Sequence, residues 1–120
     1  MDSKKFHVLS FKHAFAGMVA ALKEEPNLKF HFLAAILVIA LSFFLKISAR
    51  DFVIIIFLIG FVIALELTNT AIEAVVDHVI QTNHPGAKLA KDISAGAVLI
   101  SAITAAVVGI WIILPYLWTT

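Results

Sequence analysis

Residues 52–77 read FVIIIFLIGFVIALELTNTAIEAVVD, an apolar run that passes without a proline into Glu66, Asn69, Glu73 and Asp77. The apolar part, residues 52–65, is too short to cross a hydrocarbon core of roughly 30 Å, which takes about 20 residues at 1.5 Å rise. It reaches spanning length only as one helix continued through Glu66 and Asn69 toward Ile72. Along such a helix the four polar residues fall within one stripe about 80° wide and about 16 Å long. Three carboxylates and an amide therefore face the same way. Glu66 and Asn69 do so at membrane depth, where ionisable groups are costly and mark function or pairing.

The rest of the chain supports a membrane reading. Of 120 residues 62% are hydrophobic and only 14% charged, whereas a soluble domain carries roughly half and about a quarter. The excess is concentrated in residues 30–47, 52–65 and 93–118. Spans are expected at about 28–47, 52–79 and 92–118, the first with Lys46 reaching up to the headgroups. Ser48 and Ala49 after the first run would suit a cleaved signal peptide. Two further spans, and a long preceding region containing Glu24 and Glu25, argue against it. The absence of cysteine excludes disulfides and thiolate metal sites.

Ahead of the first span, Phe11, Ala14, Phe15, Met18, Val19 and Leu22 recur at helical spacing, with Lys12, His13 and Lys23 largely elsewhere on the wheel. This is an amphipathic surface helix at about 10–24, its stripe laid in lipid or packed on the other helices. Pro26 disfavours helical geometry at Glu25, so residues 24–29 form a polar hinge. Residues 48–51 form a tight turn with Ser48 or Asp51 as cap, and residues 81–86 form a second loop. Residues 1–120 thus make one all-α membrane domain. Lys4, Lys5, Lys12, Lys23 and Lys29 precede the first span, and Lys88 and Lys91 follow the second, against Lys46 and Arg50 in the turn between. The lysine excess places the N-terminus and second loop in the cytoplasm and the C-terminus outside. Trp111, Tyr116 and Trp118 then form the outer aromatic belt. A net charge of +1 leaves no basic patch for nucleic acid.

Three carboxylates on one stripe repel one another unless cations or protons intervene. Magnesium suits such an oxygen-only set, taking one or two carboxylates and completing its shell with phosphates and water. Glu25 in the hinge offers another carboxylate. Lys91 and Asp92, with Lys88 a turn earlier, stand at the mouth of the third span, where a lysine binds phosphate as a point charge or anchors topology. Simple pairing with lysines would also account for Glu73 and Asp77. His31 either pairs with a carboxylate of the stripe or marks the interface. No histidine lies in a zinc-binding spacing, and His84 sits in the loop where a nucleotide could reach it.

The segment Glu66-Leu67-Thr68-Asn69-Thr70-Ala71-Ile72-Glu73-Ala74-Val75-Val76-Asp77 closely resembles the signature of the prokaryotic diacylglycerol kinase family, small integral membrane lipid kinases. Glu25-Pro26-Asn27 in the hinge and Ala90-Lys91-Asp92 followed by Ser94-Ala95-Gly96-Ala97-Val98 extend the match over nearly the whole chain. The resemblance implies a surface helix and three spans per chain, a homotrimer with shared active sites, and ATP as phosphate donor. It implies Glu66 as the general base toward a lipid hydroxyl, with Asn69 supporting it, and Glu25 and Glu73 as Mg2+ ligands. Thr82, Asn83, His84, Lys91 and Asp92 would line the nucleotide, with Asp77, Lys29 and His31 as further support. Phosphoryl transfer by positioning and charge neutralisation needs no P-loop, and none is present. Ser94-Ala95-Gly96-Ala97-Val98 resembles the Gram-positive branch, associated with undecaprenol kinase activity, and His31 stands where the proteobacterial members carry a second carboxylate. Undecaprenol is thus the expected acceptor, with diacylglycerol second. Two other classes compete: a cation or proton pathway lined by the stripe, and a non-catalytic assembly subunit. The first sits badly with the wholly apolar half of the second span.

Overall fold

The computed structural model describes residues 2–119 and is all-helical among them. Four helices follow in order, α1 (Ser3–Glu24), α2 (Pro26–Phe44), α3 (Ala49–Val79) and α4 (Pro85–Trp118). The last three are long and apolar enough to cross a membrane, and the chain is a multi-pass integral membrane protein. The molecule measures 56 × 43 × 21 Å.

Local sequence sets each boundary. Glu25 is extended (φ −106°, ψ 108°), and Pro26 occupies the first turn of α2, where its missing N–H costs nothing. Here α1 ends and α2 begins with no loop between. At the far end of α2 the chain turns on Lys46, at φ 53°. The Ile47 N–H reaches the Ser42 carbonyl and the Lys46 N–H the Phe43 carbonyl, each at 3.2 Å, which is the Schellman arrangement with a lysine where glycine is usual. Ser48 caps α3 by accepting from the Asp51 N–H at 3.1 Å. His84 caps α4, its Nδ1 accepting from the Gly86 and Ala87 N–H groups at 3.1 and 3.2 Å. Pro85 and Gly86 are therefore helical rather than part of the loop, and α4 starts two turns earlier than the apolar run suggested.

α3 packs mainly against α4 and next against α2. Seven buried positions are spaced seven residues apart on their helices, Leu28, Ala35 and Ser42 on α2, Ile55 and Val62 on α3, Ser94 and Ser101 on α4, with Leu45 and Glu66 buried outside that interval. That interval is the seam of helices wound at a shallow left-handed angle. Four of these seven are alanine or serine, which let backbones approach where lipid supplies no hydrophobic drive. Ser42 and Ser101 return their hydroxyl protons to their own helices, to the Val38 and Val98 carbonyls, each at 2.7 Å. The hydroxyls are thus satisfied without water.

α1 starts at Ser3, with the Asp2 side chain accepting from the Lys4 N–H at 3.3 Å. Only Val19, Ala21 and Leu22 near its end are partly covered, while Phe11 (78%) and Phe15 (65%) are exposed. Of its apolar stripe, this chain's own helices thus cover only the end nearest the α1–α2 junction, at Val19 and Leu22.

Candidate active site

The stripe predicted on α3 exists, and it splits between two neighbours. Glu66 faces α2: its Oε1 lies 4.0 Å from Nε2 of His31. The residue is only 4% exposed, and its other carboxyl oxygen, Oε2, is buried with no hydrogen-bond partner. Asn69 and Asp77 face α4. The Asn69 carbonyl oxygen accepts from the Ser94 hydroxyl at 2.6 Å, and its amide donates to Glu73 Oε1 at 3.3 Å. Asp77 Oδ1 takes the Lys91 ammonium at 2.9 Å.

A buried polar atom left without a partner costs about 1–3 kcal/mol, and more when charged. Glu66 thus stands out against Asn69, which is held at both ends of its amide. The helix around it is otherwise tied down, for Thr70 donates to the Glu66 carbonyl at 3.0 Å. Depth adds meaning. Counting from Ala49 at 1.5 Å per residue, Glu66 lies about 26 Å along α3 and Glu73 about 36 Å. With the turn end at one surface, Glu66 sits just inside the opposite edge of a hydrocarbon core of roughly 30 Å, and Glu73 beyond it.

Glu25, at the α1–α2 junction, and Glu73 are near enough for their charges to act on Glu66. Glu25 does not use its side chain to cap α2. The two carboxylates offer oxygen donors only, and no group of three or more metal-ligating side chains is gathered among the described residues. That set fits magnesium, which binds through one or two carboxylates and fills its remaining positions from phosphates and water. It does not fit zinc in a closed protein cage.

The adjacent Lys91 and Asp92 turn to different partners: Lys91 to Asp77, and Asp92 to Lys88 at 2.6 Å. His84 is engaged through Nδ1 as the α4 cap, and Thr82 and Asn83 lie exposed in the loop before it. Lys29 is exposed one turn into α2. The structure adds Ser94, which sequence reasoning quoted only as part of a motif. Its signal is a lone hydroxyl in a run of alanine and glycine that places it opposite Asn69.

An apolar groove of about 500 Å³ runs between α2, α3 and α4. Phe30 and His31 line one end, Ala34, Val62 and Ala106 line its length, and Leu114 lies toward the other end. Glu66 lies behind the end lined by His31, 4.0 Å from its Nε2.

Residues 12–113 match the family model described as prokaryotic diacylglycerol kinase. An undecaprenol kinase of Bacillus subtilis (strain 168) is 43% identical over 108 residues, covering 90% of this chain and 88% of that protein. A diacylglycerol kinase of Synechocystis sp. is 39% identical over 109 residues, 90% of this chain and 62% of that longer protein. The diacylglycerol kinase of Escherichia coli (strain K12) is 33% identical over 107 residues, 89% of this chain and 84% of that one.

Proposed function

The chain belongs to the prokaryotic diacylglycerol kinase family, and from that premise we propose that it transfers the terminal phosphate of ATP to the hydroxyl of a membrane polyprenol, undecaprenol. The observation that carries the proposal is the enclosed carboxyl of Glu66, its Oε2 without a partner and its Oε1 4.0 Å from His31, which lines one end of an apolar groove, beside charged groups that continue past the hydrocarbon edge. The undecaprenol kinase of Bacillus subtilis, at 43% identity, supports the polyprenol over diacylglycerol.

Glu66 takes the hydroxyl proton as the acceptor oxygen attacks. General-base help of this kind is worth about 10²–10⁴ in rate. The acceptor's hydrocarbon chain lies along the groove, which brings its hydroxyl end to Glu66. Ser94 and Asn69 fix the rotamer of Glu73, and Glu25 and Glu73 are the residues that would hold Mg2+. Such an ion would supply positive charge against the phosphates, and charge neutralisation with positioning is the main requirement of phosphoryl transfer. Lys91 supplies a point charge to the phosphates, held by Asp77, while Asp92 and the segment of Thr82, Asn83 and His84 border the nucleotide. The site is completed by neighbours in a homotrimer. The protein lies in the cell membrane with the N-terminus and the α3–α4 loop in the cytoplasm, where ATP is, and the C-terminus outside.

The test is the purified full-length protein in bilayers with ATP and Mg2+, offered undecaprenol and diacylglycerol side by side. Faster phosphorylation of undecaprenol is the expected result. A preference for diacylglycerol would transfer the assignment to that acceptor, and phosphorylation of neither would end it.

A further inference from the structure

A general base must give up its proton before the next turnover, and Glu66 is closed in on the sides described. The residue is 4% exposed, and its Oε2 touches neither a donor nor solvent. Toward α4, Asn69, Ser94 and Glu73 are engaged with one another. Toward α2 the neighbour is His31, whose Nε2 stands 4.0 Å from Glu66 Oε1 and whose side chain is 20% exposed. His31 thus joins the enclosed carboxyl to the outside from the α2 side, while Lys91 of α4 is paired with Asp77 three turns further along α3. The charged groups acting at this point are Glu66 and Glu73 from α3 and Glu25 from the α1–α2 junction. The lysine that α4 brings nearby is turned to Asp77.

We propose that His31 is the proton exit for Glu66, a positioning residue that acts through the base and returns it to its ionised form after each transfer. The inference rests on the reading of Glu66 as general base. In the reaction the acceptor O–H breaks as its oxygen bonds the terminal phosphorus, the bridging P–O bond of ATP breaks, ADP leaves, and the proton rests on Glu66. It then passes from Glu66 Oε1 to Nε2 of a neutral imidazole, and the proton on Nδ1 leaves to water. The ring ends neutral, Glu66 ends as carboxylate, and one proton has moved out. Exchange of the ring proton through water resets the tautomer. A 4.0 Å gap closes with a small rotation of either side chain, and catalytic contacts in unliganded enzymes are commonly long.

The experiment compares the wild type, His31→Gln and His31→Ala as full-length protein in lipid nanodiscs, with ATP, Mg2+, undecaprenol and dilute buffer. Glutamine keeps a donor N–H near the position of Nε2 but neither takes up nor releases a proton. His31→Gln is expected to leave KM for ATP unchanged, to lower kcat about tenfold to a hundredfold, and to raise the solvent isotope effect on kcat. His31→Ala opens space for free imidazole, which is expected to restore its turnover saturably and to leave the wild type unaffected. Wild-type kcat in His31→Gln, or a slow His31→Ala indifferent to imidazole, would overturn the proton-exit role. If His31→Ala does not fold, the kcat and isotope effect of His31→Gln decide the matter. A wild type inert toward undecaprenol and diacylglycerol alike would instead bring down the kinase reading, and a fully active Glu66→Gln the general-base role of Glu66, so the failures are distinct.

Discussion

The two ends of the helical bundle solve the same problem in opposite ways. At the turn end the Tyr116 hydroxyl donates to Asp51 Oδ2 at 2.5 Å and accepts from the Ser48 N–H at 3.1 Å, while the Ser48 hydroxyl accepts from the Asp51 N–H. Three residues close a circuit that ties the end of α4 to the start of α3. At the loop end a glutamate more deeply buried than any of these has one oxygen without a partner and the other 4.0 Å from a histidine. Polar groups that serve the fold are satisfied. The one left incomplete waits for a substrate, and such local departures from consistency gather at functional sites.

Removing the open carboxylate should give the largest effect. Glu66→Gln is expected to lower kcat by about 10³ while ATP binding and thermal stability in detergent hold or improve, because a neutral amide is cheaper to bury than an unpaired charge. Retained turnover would erase the contrast between the ends. Tyr116→Phe should act the other way, costing about 1–3 kcal/mol in denaturant unfolding with little change in kcat at low temperature. Loss of kcat without loss of stability would show that the turn end is functional too. Ser94→Ala frees Asn69 from α4 and is expected to reduce kcat about tenfold, roughly 1.4 kcal/mol of barrier, with KM for ATP nearly constant. Smallest is Lys46→Gly, which relieves a side chain at positive φ and should stabilise the protein by up to about 1 kcal/mol with activity untouched.

Much of this was legible along the chain. The apolar runs, the break at Pro26 and the three- and four-residue spacing of Glu66, Asn69, Glu73 and Asp77 are periodic or local signals, and the helices follow them. What escaped was either a weak local cue or a pairing between helices. In residues 3–10 only Val8 continues the apolar stripe, and Lys4 and His7 interrupt it, so the early start of α1 at an Asp2 cap left little periodic trace. His84 is not among the usual capping residues, and Pro85 and Gly86 therefore read as loop. Ser94 and Tyr116 gain their roles only from the register of α4 against α3. A hydroxyl among alanines and a tyrosine among tryptophans look the same in one dimension whether or not a partner faces them. Trp111 and Trp118 are exposed as an aromatic belt requires, whereas Tyr116 turns inward to Asp51.

The unequal helix lengths have a consequence of their own. α2 has 19 residues, about 28 Å, while α3 and α4 have 31 and 34, about 46 and 51 Å. The bundle is therefore stepped: a low tread level with the bilayer edge and a higher one rising past it on α3 and α4. A greasy molecule diffusing sideways can reach only the lower tread, and a water-borne one arrives at the upper. Two reactants that share no solvent are brought together by a difference in height.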